Sequence, residues 1–227
     1  MTESKYQRPT PIIAPSVLAA DFADLKGELD TISSADWVHV DVMDNHFVPN
    51  LSFGPDISRA IAKHTKLPLD VHLMIEEPER WVGKYTDFAH TVIFHLEATD
   101  NPIRLARKLR EEGVRPGFSL KPATSLDPWL EHLHNFDEVL VMSVEPGFGG
   151  QKFMPEQLDK VRQLVDYRAQ AGLDFTIEID GGIGPDTIAA ASAAGCDAFV
   201  AGSAVFGVDD RAARIQELRE LAAQAQI

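Results

Sequence analysis

The sequence predicts a single (β/α)8 barrel that takes up the whole chain, residues 1–227. Two observations favour this fold. Short apolar runs alternate eight times with amphipathic helical stretches, and no linker-like or low-complexity segment interrupts them. Polar residues also recur at strand ends along the whole chain, and a closed barrel brings all such ends to one mouth. An open doubly wound sheet, which periodicity alone does not exclude, would more often concentrate its site near one switch point.

The first four strand–helix units follow a short N-terminal segment, residues 1–10, that we expect to be mobile. Each unit is an apolar run followed by a stretch with helical spacing. Pro55 stands where the start of a helix tolerates proline, and Gly113 stands where a helix ends. The predicted strands are 12–17, 37–43, 69–75 and 91–96, and the predicted helices are 22–32, 53–64, 78–88 and 103–112.

The last four units repeat the pattern. Gly172 and Gly195 are stop signals for the helices after strands six and seven, whereas the helix after strand five has a weaker pattern. The predicted strands are 115–120, 138–143, 175–180 and 198–201, and the predicted helices are 126–133, 155–171, 187–194 and 211–223.

The stretch 37–50, WVHVDVMDNHFVPN, contains the most unusual strand of the chain. In its first half, valines alternate with His39, Asp41 and Met43, so the two sets lie on opposite faces of the strand. An imidazole and a carboxylate beside a thioether are poor core residues, but they suit a metal or acid/base site. Asn and Pro then break the strand into a loop. The polar face therefore stands at the C-terminal end of its strand, where parallel α/β proteins carry out chemistry.

Two other strands have the same kind of polar face. His72 and Asp180 lie near the ends of strands three and seven. With His39 and Asp41 they form a set of two imidazoles and two carboxylates, which suits zinc first, with manganese, iron or cobalt as alternatives. Each residue alone could be a hydrogen-bonded core histidine or a loop-capping aspartate. Burying two carboxylates without a cation is costly, however, and these strands carry no lysine or arginine, so the sequence predicts one divalent metal ion.

Glycine-rich loops follow strands six, seven and eight. Successive loops that present backbone N–H groups form a phosphate cradle, which barrels often build after strands seven and eight. Tight turns that require glycine are the alternative explanation. The predicted cradle comprises Gly147, Gly149, Gly150, Gly181, Gly182, Gly202 and Ser203. Three methionines at strand ends, Met43, Met74 and Met142, indicate either a dry, polarizable wall or ordinary core filling.

The composition argues against several other classes of function. The formal net charge is −14 and the pI is about 4.9, so we expect no nucleic-acid or anionic membrane surface. No apolar run approaches the length of a membrane span, and the first residues lack the apolar core of a signal peptide, which favours a cytoplasmic protein. Cys196 is the one cysteine, and its small apolar neighbours predict a buried, inert thiol.

Six motifs occur in order between residues 12 and 206: IAPSVLAADF, HVDVMDNHFVPN, DVHLM, VEPGFGGQKF, EIDGG and VAGSAVFG. In this combination they resemble the ribulose-phosphate 3-epimerase family of the pentose phosphate pathway. The resemblance implies a metal-dependent isomerase that interconverts D-ribulose 5-phosphate and D-xylulose 5-phosphate by two-base proton transfer at C3 through an enediolate. It also implies a homo-oligomer, dimeric or hexameric, that acts on a phosphorylated ketopentose.

The same resemblance implies roles for individual residues. The metal ligands would be the four residues described above, and Asp41 and Asp180 would also be the two acid/base groups. Ser16 would help to hold the substrate, and His72 would contribute to that site as well as to the metal. The methionines would pack around the reacting carbons, and the glycine loops with Ser203 would hold the 5-phosphate. One residue departs from the family pattern, since Asn45 stands where glycine is usual, but asparagine tolerates a left-handed backbone.

Four alternatives compete with this interpretation. A phosphosugar decarboxylase on the same barrel would carry a lysine two residues after the strand-two aspartate, where this chain has Met43. A metal-free triose isomerase would use a glutamate such as Glu145, which leaves the four polar strand residues unexplained. If the barrel had only a binding function, we would expect some of these four residues to be replaced, and all four are present. A 3-epimerase of another ketose phosphate, such as D-allulose 6-phosphate, is the alternative that the sequence separates least well.

Overall fold

The computed structural model describes residues 6 and 8–226. Its strands, numbered in chain order, are β1 Ile12–Pro15, β2 Val38–Met43, β3 Leu69–Met74, β4 Thr91–His95, β5 Arg115–Leu120, β6 Glu138–Met142, β7 Thr176–Asp180 and β8 Ala198–Ala201. Its α-helices are α1 Leu25–Thr31, α2 Pro55–His64, α3 Pro102–Glu111, α4 Leu158–Ala171, α5 Ile188–Ala194, α6 Ser203–Phe206 and α7 Arg211–Gln224.

The strands form one parallel sheet that closes on itself. Each strand pairs with its neighbours in the order β1-β8-β7-β6-β5-β4-β3-β2. The remaining gap, between β1 and β2, is joined by a parallel bridge between Ser16 and His39. The predicted (β/α)8 barrel is therefore confirmed, and the carboxyl ends of all eight strands stand at one mouth.

Alternation along the strands sorts apolar from polar side chains. The valines of β2 are almost fully buried in the layer between sheet and helices, together with the apolar faces of α3, α4 and α7. A smaller apolar cluster inside the barrel consists of Ile93, Leu140, Met142, Val144 and Val200. Because side chains in a strand alternate between faces, burying the valines outwards directs His39, Asp41 and Met43 into the barrel. The outer core thus fixes the orientation of the site.

Two of the predicted helices are not α-helical. The stretch predicted at 78–88 forms two 3₁₀ turns, Pro78–Arg80 and Val82–Lys84, and the one predicted at 126–133 is a 3₁₀ stretch, Asp127–Asn135. Gly83 lies within the first of these two stretches, and glycine costs about 1 kcal/mol relative to alanine in an α-helix. The short helix α6 was not predicted, because its four residues are too few to show a period.

The described part of the N-terminal segment contacts the barrel. Arg8 donates hydrogen bonds to the carbonyl oxygens of Ser192 and Cys196 at 2.5 and 2.7 Å. Arg168 stacks its guanidinium on the ring of Tyr6, 3.5 Å from the centroid. Residues 1–5 and 7 of the segment predicted to be mobile lie outside the described residues. Cys196 is fully buried, and burial raises the pKa of its thiol, as expected for an inert cysteine.

None of the helices among residues 6 and 8–226 combines the length and the apolar character that crossing a membrane requires.

Candidate active site

The strand register brings the polar side chains of β2 and β3 into level pairs. Asp41 stands beside His72, and Met43 stands beside Met74 one step nearer the mouth. Asp180 ends β7, where it is paired with Val200 on one side and Met142 on the other. The three strands therefore direct their polar groups to the same depth of the barrel, below its C-terminal mouth.

The four predicted metal ligands converge in space. One ligand atom from each of His39, Asp41, His72 and Asp180 lies within 4.8 Å of the others. Asp41 Oδ1 is 3.4 Å from His39 Nε2 and 3.2 Å from His72 Nδ1. His72 Nδ1 is in turn 3.9 Å from Asp180 Oδ2. Both histidines are fully buried, whereas the Asp180 side chain keeps 19% of its surface exposed towards the mouth.

This arrangement fits a divalent metal ion. Ligand atoms around a tetrahedral zinc ion with bonds of about 2.0–2.1 Å stand about 3.3–3.4 Å apart. The separations of 3.2 and 3.4 Å from Asp41 match this value, and the 3.9 Å between His72 and Asp180 is wider. His39 Nε2 is buried and has no hydrogen-bond partner among the residues that the structure describes. A buried nitrogen without a partner is costly unless something outside the protein satisfies it. The set of two imidazoles and two carboxylates suits the ions predicted from the sequence.

The two aspartates of the set differ in their protonation. Burial raises the pKa of Asp41, but His39 and His72 outweigh this effect and hold that pKa well below its usual range. Burial, followed by the charge of Asp41, raises the pKa of Asp180 to about 6. Burial lowers the pKa of His39, but Asp41 and Asp70 raise it well above its usual value. Asp41 is therefore held ionised, while Asp180 takes up a proton near pH 6, and such a separation of pKa values is typical of acid/base pairs.

Each histidine is supported from behind by a residue that was not predicted. His39 Nδ1 donates to Asp70 Oδ2 at 2.7 Å. His72 Nε2 lies 2.9 Å from His95 Nε2, and His95 Nδ1 lies 3.4 Å from Glu97 Oε2. Such partners orient metal-binding imidazoles and fix which nitrogen carries the proton.

The sequence did contain signals for these supports. Asp70 lies on the polar face of β3, and His95 ends β4 as Asp180 ends β7.

Burial lowers the pKa of His95 to about 4. Burial raises the pKa of Glu97, but the nearby His95 imidazole and hydrogen bonds from Thr124 Oγ1 and the Lys121 N–H more than offset it and bring that pKa to about 2.

Below the four ligands lies a second group of carboxyls, which we call the lower acidic cluster: Asp70, Glu138 and Glu178. All three are fully buried. Glu138 accepts a hydrogen bond from Thr91 at 3.1 Å and lies 3.4 Å from Arg115. Burial, followed by the charge of Asp70, raises the pKa of Glu138 to about 8 and that of Glu178 well above its usual value. Glu138 and Glu178 therefore tend to keep their protons, and Arg115 is the nearby cation that the sequence did not reveal.

A cavity of about 620 Å³ opens from this site to the mouth. Asp41 and Asp180 form part of its floor, whereas His39 and His72 lie beneath the lining. The predicted substrate-site residues that line the cavity are Ser16, Met43, Met74, Met142, Gly147, Gly149, Gly150, Gly181, Gly182, Gly202 and Ser203. Ser16 also donates a hydrogen bond to Asp41 Oδ2 at 2.5 Å.

The backbone of the loops explains some of these glycines by itself. Gly181 and Gly182 have φ angles of 122° and 62°, and a Cβ on Gly182 would stand 2.6 Å from the Phe153 nitrogen. Tight turns therefore account for these two, whereas a Cβ on Gly149 would meet no atom within 4 Å. Asn45 has a φ of 59°, which confirms that asparagine takes the left-handed conformation in the loop after β2.

Comparison with known proteins agrees with this geometry. The model of the ribulose-phosphate 3 epimerase family matches residues 12–206. Ribulose-phosphate 3-epimerase of Mycobacterium tuberculosis (strain H37Rv) is 52% identical over 218 residues, covering 96% of this chain and 95% of that protein. The cytoplasmic isoform of the same enzyme from Oryza sativa subsp. japonica is 45% identical over 215 residues, 92% of each chain.

Two solved structures with the same fold are far more distant in sequence than these relatives. KGPDC from Streptococcus mutans has a TM-score of 0.70 at 11% identity and covers 96% of this chain and 99% of its own. The 3-hexulose-6-phosphate synthase of Salmonella typhimurium has a TM-score of 0.65 at 16% identity, covering 95% and 100%. At such low identity these likenesses show the barrel fold alone.

Proposed function

The chain belongs to the ribulose-phosphate 3-epimerase family, and we propose that it interconverts D-ribulose 5-phosphate and D-xylulose 5-phosphate. The observation that carries the proposal is the pair of carboxyls on the cavity floor, Asp41 from β2 and Asp180 from β7. They come from strands on different sides of the barrel, and their pKa values are shifted in opposite directions.

Inverting C3 of a 2-ketose phosphate needs two acid/base groups. One carboxylate removes the C3 proton, and the electron pair of the broken C–H bond moves to the C2 carbonyl to give an enediolate. The other carboxyl donates its proton to C3 from the opposite face, and the carbonyl re-forms. Asp41 and Asp180 exchange these roles when the direction of turnover reverses, so one is always ionised and the other protonated.

Residues around the two aspartates support this chemistry. A divalent metal held by His39, Asp41, His72 and Asp180 would supply Lewis-acid stabilisation of the negative charge on the enediolate oxygens. Ser16 orients Asp41 through its 2.5 Å hydrogen bond. The metal dependence, with zinc first and manganese, iron or cobalt as alternatives, belongs to the proposal because it rests on the fit of the donor set.

The cavity above the aspartates suits a phosphorylated pentulose. Met43, Met74 and Met142 are almost fully buried and place apolar surface around the reacting carbons, which keeps water away from the enediolate. The loops after β6, β7 and β8 line the opposite end, where backbone N–H groups can bind a phosphate despite the acidic chain. We place the 5-phosphate there, beside Gly202 and Ser203.

The wider setting is part of the same proposal. We place the reaction in the pentose phosphate pathway and the enzyme in the cytoplasm, in line with the rice relative that is named as a cytoplasmic isoform. A homo-oligomer, dimeric or hexameric, is proposed from the family resemblance.

The test is C3 proton exchange followed by NMR in D2O. Wild-type protein should convert D-ribulose 5-phosphate to D-xylulose 5-phosphate with one deuterium incorporated at C3. Asp180→Asn should lower kcat by about 10²–10⁴-fold, because the variant cannot carry the proton. Asp174→Asn, at an exposed position, is the matched control and should leave kcat unchanged. If the protein rapidly converts D-allulose 6-phosphate but does not convert D-ribulose 5-phosphate, its substrate is the allulose phosphate and the proposal is wrong.

A further inference from the structure

The imidazole of His72 is in contact with a second buried imidazole that has no role in the proposed reaction. The rings of His95 and His72 lie edge to edge and within 27° of parallel, with centroids 5.0 Å apart and the two Nε2 atoms 2.9 Å apart. Both side chains are fully buried. Two ring nitrogens at this distance need a proton between them, since two bare lone pairs would repel each other.

The outer end of the pair decides which ring carries that proton. Glu97 Oε2 is the carboxylate oxygen facing His95 Nδ1, 3.4 Å away, and this buried nitrogen makes no hydrogen bond to the residues that the structure describes. Glu97 is fixed by a hydrogen bond of 2.7 Å from the Lys121 N–H and another from Thr124 Oγ1 at 2.5 Å. A carboxylate accepts hydrogen bonds and does not donate them, so it favours a proton on His95 Nδ1.

A neutral His95 with its proton on Nδ1 has a lone pair on Nε2. His72 must then donate its own proton from Nε2, which leaves His72 Nδ1 bare. That nitrogen is the one that stands 3.2 Å from Asp41 and 3.9 Å from Asp180. In the opposite arrangement the His95 Nδ1 lone pair would face the Glu97 carboxylate, and His72 would direct an N–H into the ligand set.

We propose that His95 and Glu97 are positioning residues that hold His72 in the tautomer protonated on Nε2, so that its Nδ1 lone pair faces the ligand set. The inference rests on the metal centre in the proposed function. The sequence of contacts is Glu97, His95 Nδ1–H, His95 Nε2, His72 Nε2–H and His72 Nδ1. His72 is thus supported by a carboxylate, as His39 is by Asp70, but the His95 ring lies between His72 and its carboxylate.

The test separates the hydrogen bond from the packing of the ring. His95→Phe keeps an aromatic ring but removes the acceptor, whereas His95→Gln restores an acceptor near the position of Nε2. Metal affinity is measured for zinc by competition with a chelator, and thermal unfolding of the metal-free proteins shows that each variant folds. His64→Phe, at an exposed position at the end of α2, is the matched control.

Zinc affinity should fall by about 10- to 100-fold in His95→Phe and return close to the wild-type value in His95→Gln. ¹⁵N NMR of zinc-loaded wild-type protein should place protons on His72 Nε2 and His95 Nδ1. Unchanged affinity in His95→Phe, or a proton on His95 Nε2 in the loaded protein, would overturn the inference while leaving the metal centre in place. Wild-type protein that binds no zinc would overturn the centre and the inference together.

Discussion

His39 and His72 are both oriented by buried neighbours, but the number of residues behind each one differs. Asp70 reaches His39 directly, at 2.7 Å, and both are fully buried. His72 is supported through His95 by Glu97, whose side chain keeps 22% of its surface exposed. The first support thus stands in the lower acidic cluster, closed off from solvent, and the second ends in the 3₁₀ turn Leu96–Ala98. A short buried support tolerates fewer changes than a long one with a hydrated end, because water can replace a lost partner only at the end.

The largest effect is expected from the short support. Asp70→Asn keeps an oxygen opposite His39 Nδ1 but removes the charge that makes the bond strong, so zinc affinity should fall by about 100-fold. Folding stability should not fall in parallel, since the change also removes a buried negative charge, the one that raises the pKa of Glu178. Competition titration with a chelator and urea unfolding of the metal-free protein measure the two effects. A loss of stability without a loss of affinity would mean that Asp70 is only a packing residue.

A second comparison concerns pH, because the two supports sit among carboxyls whose pKa values shift in opposite directions. The pKa of Glu138 is raised to about 8, so the folded state holds a proton that the unfolded state releases above pH 4.5. Stability from this group therefore falls as pH rises from about 4.5 to 8, by at most about 1.4 kcal/mol per pH unit. Glu138→Gln should flatten that part of the stability profile. A profile of unchanged slope from urea unfolding at pH 5 to 8 would contradict this.

The smallest effect is expected at the outer end of the long support. Glu97→Gln retains a carbonyl oxygen that can accept from His95, so zinc affinity should fall by less than about tenfold, below the loss for His95→Phe.

Glu97 is also expected to change how folding stability depends on pH, in the opposite direction to Glu138. The pKa of Glu97 is lowered to about 2, so its contribution to stability is present above pH 4.5 and is lost as pH falls towards 2. Acid unfolding of Glu97→Gln beside wild type measures it; a wild-type advantage that grows in acid would refute the assignment.

The sequence allowed the four ligands to be predicted because the strands have a strict period of two. His39, Asp41 and His72 alternate with large apolar residues, so their common face follows from the burial of those neighbours. The carboxyl ends of parallel strands meet at one mouth, which placed Asp180 beside them although it is far along the chain. These predictions needed only alternation and topology.

The supports were missed because alternation shows that Asp70 shares a face with His72 but does not show which histidine it contacts. His95 follows three apolar residues, VIF, so its inward orientation could not be distinguished from a strand that simply ends. Which nitrogen of each ring faces the ligand set depends on side-chain torsions, which alternation along a strand does not specify. The two 3₁₀ stretches were predicted as helices because their apolar spacing resembles that of a short α-helix.

The most direct test of the account measures epimerase activity and metal content on the same samples before and after dialysis against a chelator. One divalent ion per chain should be lost together with D-ribulose 5-phosphate turnover, and added zinc or manganese should restore both. Full activity in protein shown to be free of metal would contradict the account, because His39 and His72 would then be supported for a function that the reaction does not need.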